Sequence, residues 1–143
     1  MPTTVSPSTG TPSDGFVLTT TVPNGRIELT LHPVYTLASG ATVPVTIVAT
    51  RGSIVGPIAT KILASGINEG GAPAELVVRD LTTDAVTATP GAPQTTRVSW
   101  DGRDAQGRLV PADAYSLRLD FRVDDDGAVR SATATATLQM NAP

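Results

Sequence analysis

The stretch from Tyr115 to Met140 decides the fold, and it reads YSLRLDFRVDDDGAVRSATATATLQM. At its start, apolar side chains alternate strictly with polar or charged ones. The apolar set is Tyr115, Leu117, Leu119, Phe121 and Val123. Alternation with a period of two predicts a strand with one buried face. A shift of the register by one residue would bury every charge, so the pairing of this strand is strongly specified.

A second alternating run follows directly. Its small or apolar positions are Ala132, Ala134, Ala136, Leu138 and Met140, and they are separated by threonine and glutamine. The turn Asp125-Asp126-Gly127 lies between the two runs. Two alternating runs joined by a short Asp-Gly turn predict a β-hairpin.

Shorter alternating runs precede the hairpin, at residues 27–31, 43–49, 75–81 and 96–100. The first is introduced by the turn Pro23-Asn24-Gly25. In the second, Pro44 cannot donate to a strand ladder, so we expect that strand to begin at Pro44 or to lie on an edge. In the last, Val98 and Trp100 are expected to face inward.

About seven short strands separated by turns predict an all-β fold, an immunoglobulin-like or fibronectin-III-like β-sandwich. Two sheets would pack face to face, with threonine and charged residues outside. With few aromatic residues, the core must consist mostly of valine, leucine, isoleucine and alanine. Trp100 is then the largest buried group and the anchor of that core.

The segment from Ser53 to Gly66 is apolar without clean alternation. Pro57 near its start and Gly66 at its end suit a short helix near residues 57–65. Ile54, Ile58 and Ile62 have the spacing of one helical face. A strand fits the same residues almost as well, so both alternatives stand on sequence grounds.

Composition supports the β prediction. The chain has 143 residues, of which 16% are charged, and only one is lysine. Exposed helices need more Glu, Lys, Gln and Arg than this, so a helical bundle and an α/β enzyme are both disfavoured. Residues 1–15 are rich in Thr, Ser and Pro and predict a polar tail. Residues 16–143 are expected to form one sandwich domain.

The net charge and the residue content also argue against several classes of partner and site. The net charge is −3 with no run of Lys or Arg, which argues against nucleic acid and an anionic membrane surface. No apolar stretch is long enough for a membrane span, and the N-terminus lacks the features of a secretory signal. Cysteine is absent, so disulfides and cysteine-based metal sites are excluded.

One dense motif connects two of the strands. Residues 97–119 read RVSWDGRDAQGRLVPADAYSLRL. Its marked positions are Trp100, Asp101, Gly102, Asp104, Gly107, Pro111 and Tyr115. Each has a structural reading: the aspartates favour turns in which they bond their own backbone, and the tyrosine can hold the corner with its hydroxyl.

This motif resembles the signature of the Ig-like domain of flagellar hook-capping proteins, and related modules of bacterial surface proteins and virions. The resemblance implies an Ig-like interaction module. The sequence departs from the family pattern at Asp113, where the family usually has glycine. It also departs at the N-terminus, where a Thr/Pro/Ser tail replaces the family's helical export region. The flagellar role therefore does not follow from the motif.

Candidates for chemistry are few. His32 is the single histidine and no Gly-x-Ser-x-Gly elbow accompanies it, so we read it as a turn or surface residue. The run Asp124-Asp125-Asp126 is the one place to look for a metal, although its spacing is not that of an EF-hand. Tyr35 alone is left as an exposed aromatic for a sugar platform. No catalytic, cofactor-binding or metal-binding residue is predicted.

These observations favour a non-enzymatic structural protein. We expect it to assemble with itself, or to decorate or reinforce a larger particle such as a phage virion, through its N-terminal tail and its sheet edges. A homo-oligomer or assembly component in a virion or extracellular assembly is the corresponding expectation. The alternatives are an Ig-like module of a secreted or cell-surface bacterial protein, including the flagellar hook-cap type, and a glycan-binding module.

Overall fold

The computed structural model describes residues 15–67 and 69–142, and within those ranges it contains ten strands and no helix. In chain order the strands are β1 (Phe16–Val22), β2 (Gly25–Leu31), β3 (Tyr35–Thr36), β4 (Ala41–Ala49), β5 (Ser53–Ile67), β6 (Pro73–Leu81), β7 (Val86–Ala88), β8 (Gln94–Trp100), β9 (Asp113–Asp125) and β10 (Ala128–Asn141). The prediction of an all-β sandwich is confirmed. The count exceeds the expected seven partly because β3 and β7 are too short to show a periodic pattern.

The strands form two sheets. The first has the order β1-β2-β4-β8, and the second has the order β3-β10-β9-β5-β6 with β7 paired to β5. All the neighbours are antiparallel except β3 and β10. The inner faces share one apolar core, which includes Ile27, Leu29, Val45, Ile47, Leu117, Leu119, Phe121, Val123 and Leu138.

The hairpin of β9 and β10 forms as predicted. Its register runs without a shift from Asp125 opposite Ala128 to Asp113 opposite Met140. The two loop residues have positive φ, 53° at Asp126 and 97° at Gly127. Two residues with positive φ are what a type I′ turn needs, and this turn matches the twist of the flanking strands.

The short helix expected near residues 57–65 is wrong, because this segment lies inside β5. In its ladder with β9, Val55 is opposite Arg122 and Ala59 is opposite Asp120, so three residues oppose Phe121 alone. A second irregularity, in the ladder with β6, falls between Ile62 and Leu63. The first interruption inserts residues into β5 and breaks its period of two, which is why the sequence shows no clean alternation there, whereas the second places the extra residue, Val78, in β6. Ile58, placed on the helical face, is 58% exposed.

The expectation for Pro44 is also wrong. The strand begins at Ala41, and β4 lies between β2 and β8 rather than on an edge. Pro44 is tolerated because the ladder with β2 ends at Val45, while the ladder with β8 continues and places Pro44 opposite Arg97. The missing N–H therefore falls where one neighbour has already stopped pairing.

Strand β6 forms where residues 75–81 predicted it, at the edge of the second sheet. Its burial does not alternate cleanly: Leu76 is 48% exposed and Val77 is 55% exposed, although they are paired regularly with Ala64 and Leu63. The predicted tail, residues 1–15, lies outside the described residues except for Gly15. No helix that is long and apolar enough to cross a membrane occurs in the described ranges.

Candidate functional site

The motif between β8 and β9 is built around Trp100 and Tyr115, both of which are buried as expected. Their rings meet edge to face, with centroids 5.3 Å apart and planes at 71°. The indole Nε1 of Trp100 donates to the carbonyl of Arg103 at 2.9 Å. The hydroxyl of Tyr115 donates to the carbonyl of Pro111 at 2.6 Å, and burial raises the pKa of this phenol. The two rings thus hold the two ends of the loop.

Asp101 closes the first turn of this loop. Its Oδ1 accepts from the backbone N–H of Arg103 at 3.0 Å and from Nη1 of Arg79 at 3.1 Å. Gly102 follows with φ of 77°, a conformation that favours glycine. Arg79 belongs to β6, so this contact ties the loop to the second sheet.

Asp104 closes the second turn. Its Oδ1 accepts from the backbone N–H groups of Gln106 at 2.9 Å and of Arg108 at 3.0 Å. The hydrogen bond from Arg108 is the main cause that lowers the pKa of the Asp104 carboxyl. Gly107 has φ of 81° between these donors. The seven marked motif residues therefore lie in or at the ends of one loop, and the contacts of their polar side chains hold its shape.

His32 follows β2 on the surface. Its ring meets the ring of Tyr35 edge to face, with centroids 5.8 Å apart, and its backbone N–H donates to the hydroxyl of Tyr35 at 3.0 Å. Tyr35 itself is only 8% exposed, so the expectation of an exposed tyrosine for a sugar platform is wrong. The phenol faces its neighbour across the turn rather than solvent.

The acidic run at the hairpin is engaged in structural contacts. Oδ1 of Asp124 accepts from the backbone N–H of Gly127 at 2.8 Å. Both carboxylate oxygens of Asp125 accept from the guanidinium of Arg51, whose hydrogen bond lowers the pKa of that carboxyl. Within residues 15–67 and 69–142, no cluster of three histidine, aspartate or glutamate side chains is placed to hold a metal ion.

Sequence reasoning missed the role of Asn24, which it treated only as a turn residue. The side chain is fully buried, and its Nδ2 lies within hydrogen-bonding distance of three carbonyls: those of Arg51 at 3.0 Å, Ser53 at 3.0 Å and Asp124 at 3.1 Å. Asn24 therefore joins the turn of the first sheet to two strand ends of the second. No local pattern marks such a contact, because its partners lie far along the chain.

A groove of about 410 Å³ lies between β6 and the motif loop. Apolar side chains of Leu76, Val77, Val110 and Pro111 line it together with Asp113.

Among the described residues, the longest strand edge without a neighbouring strand is the side of β10 that faces away from β9. One side of β10 is paired with β9 along its whole length. The other side pairs with β3, at Met140 and Asn141. In the described part of the chain, no strand pairs with that side between Ala128 and Gln139.

Two observations, one at each end of β10, show which residues direct their N–H and C=O groups away from β9. The carbonyl of Asn141 accepts from the N–H of Leu37 at 2.9 Å, so Asn141 points away from β9. At the other end, Asp125 and Ala128 flank a two-residue loop and so face each other as a hydrogen-bonded pair. Since successive residues alternate, odd-numbered residues direct both N–H and C=O to the free side. They are Val129, Ser131, Thr133, Thr135, Thr137 and Gln139.

This free edge, defined as residues 128–139, has few of the features that usually protect an edge strand. It is long, it has no bulge and no proline, and its single charge is Arg130. Natural proteins usually block such edges with lysine, proline, bulges or short strands. The edge can therefore accept another extended chain by backbone hydrogen bonding.

A second exposed region adjoins it. Strand β1, at the edge of the first sheet, exposes Phe16 (48%), Val17 (57%) and Leu18 (37%). β1 is also the strand of the first sheet that contacts β10. The two open edges therefore lie on the same side of the sandwich.

No protein-family model matches the chain, and no curated protein matches it. Among solved structures, it is similar to AggA, the major subunit of aggregative adherence fimbriae type I from Escherichia coli, with a TM-score of 0.41 and 11% identity. The match covers 95% of this chain and 100% of that one.

Proposed function

We propose that this chain is a non-enzymatic structural subunit that assembles with other protein chains by adding a strand to its free edge. The observation that carries the proposal is the row of backbone groups on β10 from Val129 to Gln139, with which no strand pairs within residues 15–67 and 69–142. Each outward residue offers one donor and one acceptor in a fixed spacing. That spacing is complementary to any extended chain and needs no special side-chain chemistry.

The surroundings of the edge support assembly. The side chains on the outer face of β10 between Val129 and Gln139 carry no charge, and Thr133, Thr135 and Thr137 are all exposed. The apolar side chains of β1 are exposed on the same side of the molecule. A partner strand would therefore meet both a hydrogen-bonding edge and apolar surface without a like-charge contact.

For the biological setting, we propose decoration or reinforcement of a larger particle of the virion type, or another extracellular assembly. The supporting features are the small sandwich, its low content of charged residues and the open edge. The alternative is an Ig-like module of a secreted or cell-surface bacterial protein, of the flagellar hook-cap type, which the motif at residues 97–119 favours. Neighbouring genes for capsid and tail proteins would favour the first proposal, and a longer reading frame with further domains would favour the second.

A separate role in assembly is proposed for the N-terminal tail. We propose that residues 1–15 contact a neighbouring subunit, because their polar composition offers little to bury within the chain's own core. Deletion of residues 1–14 tests this when the assembly is measured by mass photometry. A loss of mass supports the contact, and an unchanged assembly contradicts it.

The edge itself is tested with a single substitution. Thr135→Pro removes an N–H that points away from β9, so it leaves the β9 ladder intact. Thr135→Val is the matched control, because it keeps the N–H and the strand preference. We expect the proline variant to lose assembly, or attachment to the native particle, while the valine variant keeps it. Equal assembly by both folded variants would overturn the proposed function.

A further inference from the structure

We infer that the occupant of the free edge is the same strand of a second copy, paired antiparallel about a two-fold axis at Thr133. This inference rests on the proposed function and specifies its partner. The pairing would join two six-stranded sheets into one continuous sheet across the dimer. A two-fold contact of this kind uses the same surface on both copies, so the edge must be complementary to itself.

The backbone meets that requirement. With the axis at Thr133, Val129 lies opposite Thr137 of the second copy, and Ser131 lies opposite Thr135. These residues and Thr133 are the odd-numbered ones whose N–H and C=O point to the free side. In an antiparallel pair, residues with outward groups face one another and exchange both hydrogen bonds. Each outward group between Val129 and Thr137 therefore gains a partner.

The side chains of this edge are also complementary to those of a second copy. On the outer face, Thr133 would lie opposite its own copy, and such threonine pairs favour sheet formation. On the inner face, Ala132 would lie opposite Ala134 of the second copy, and small side chains let the strands approach. The single charge, Arg130, would face Ala136, far from the other Arg130. No like charges oppose one another.

Strand β3 limits the register. It already occupies the free side at Met140 and Asn141. An axis at Ala134 would place Ala128 of the second copy opposite Met140, where Tyr35 is paired. An axis at Ala132 would leave Thr137 without a partner. The axis at Thr133 therefore gives the longest pairing that leaves β3 in place.

The alternating Ala and Thr residues also allow a slip by two residues, since such a slip keeps each side chain on its face. The experiment must therefore report the register as well as the pairing. The chain has no cysteine, so single cysteines can be placed without background.

The test is oxidative or short bismaleimide cross-linking of single-cysteine variants, read on non-reducing gels. Thr133→Cys should cross-link to itself, because residues on the axis have Cα atoms about 5.5 Å apart, within disulfide range. Ser131→Cys and Thr135→Cys should each stay uncrosslinked alone and should cross-link when mixed. Self-linking at Ala134→Cys in place of Thr133→Cys would overturn the proposed axis.

The inference and the proposed function fail in different ways. If Thr135→Pro abolishes assembly and none of these cysteines cross-links, another chain occupies the edge and the self-pairing is wrong. If deletion of residues 1–14 then also abolishes assembly, the tail of a neighbour becomes the occupant. If Thr135→Pro leaves assembly unchanged, the proposed function is wrong as well.

Discussion

The side chain of Asn24 and the carbonyl of Asp124 are joined by a hydrogen bond of 3.1 Å between residues 100 positions apart. Asn24 lies in the turn between β1 and β2, and Asp124 lies near the end of β9. The same Nδ2 group reaches the carbonyls of Arg51 and Ser53. One buried amide thus closes the end of the sandwich where the β9–β10 hairpin turns.

Replacing this amide should be costly. Asn24→Ala removes the donor and leaves carbonyls without a partner in a buried site, which predicts a loss of about 3 kcal/mol in the free energy of unfolding. Urea unfolding followed by the fluorescence of Trp100, the single tryptophan, measures it. Asn141→Ala, at an exposed position, is the control. A loss no larger than that of the control would contradict this account of Asn24.

The Trp100–Tyr115 corner yields a second prediction. Tyr115→Phe keeps the ring that packs on Trp100 and removes the hydroxyl that donates to the carbonyl of Pro111. We expect a destabilisation of about 1 kcal/mol. Tyr115→Ala should cost about 3–5 kcal/mol, because it also removes the buried ring. If the phenylalanine variant is as unstable as the alanine variant, the ring contact does not hold this corner.

Acid should weaken two of the described turns. The pKa of Asp104 is lowered by the backbone N–H of Arg108, and that of Asp125 by the guanidinium of Arg51. A carboxyl whose folded pKa is lowered contributes stability above its unfolded pKa of about 3.9 and loses it as the pH falls through the folded value. Stability should therefore decline from about pH 4 downward.

Two substitutions isolate this effect. Asp104→Asn and Asp125→Asn should each flatten the decline in melting temperature between about pH 5 and pH 2. Asp84→Asn, at an exposed position outside both turns, serves as the control. A pH profile of both variants that matches the wild-type profile would show that these carboxylates are not responsible.

The irregular part of β5 can be tested at Gly56. A Cβ on this residue would lie 2.5 Å from Cδ2 of Phe121, closer than van der Waals contact allows. Gly56→Ala should therefore destabilise the fold by about 1–3 kcal/mol through overpacking, to which the φ of 155° at this residue adds backbone strain, measured by urea unfolding. Ile58→Ala, two residues on and 58% exposed, should change stability much less. Similar losses in both variants would argue against a tight contact with Phe121.

The sequence predicted the hairpin of β9 and β10 well because the inner face of β9 is buried from Tyr115 to Val123, so Leu117 and Phe121 alternate cleanly with charged residues. It failed at β5, where three residues from Gly56 to Ile58 oppose one residue of β9 and interrupt the period. It failed at Pro44 because a proline's position depends on where a neighbouring ladder ends, which is a long-range property.

The candidate site shows the same division. The turns at Asp101 and Asp104 are local. Hydrogen bonds from nearby backbone N–H groups to these two carboxylates could therefore be predicted from residue types and spacing. The free edge of β10 could not be located in this way, because an edge is defined by which strand fails to pair with it. The expected role of sheet edges in assembly stays a proposal, now assigned to a specific strand.

Amide hydrogen exchange along β10 in the assembled protein tests the central claim most directly. The N–H groups of even-numbered residues, such as Ala132 and Ala134, face β9 and should be protected in every state. The N–H groups of Ser131, Thr133, Thr135 and Thr137 should exchange rapidly in the isolated chain and become protected on assembly. Rapid exchange of these four amides in the assembled state would contradict strand addition at this edge.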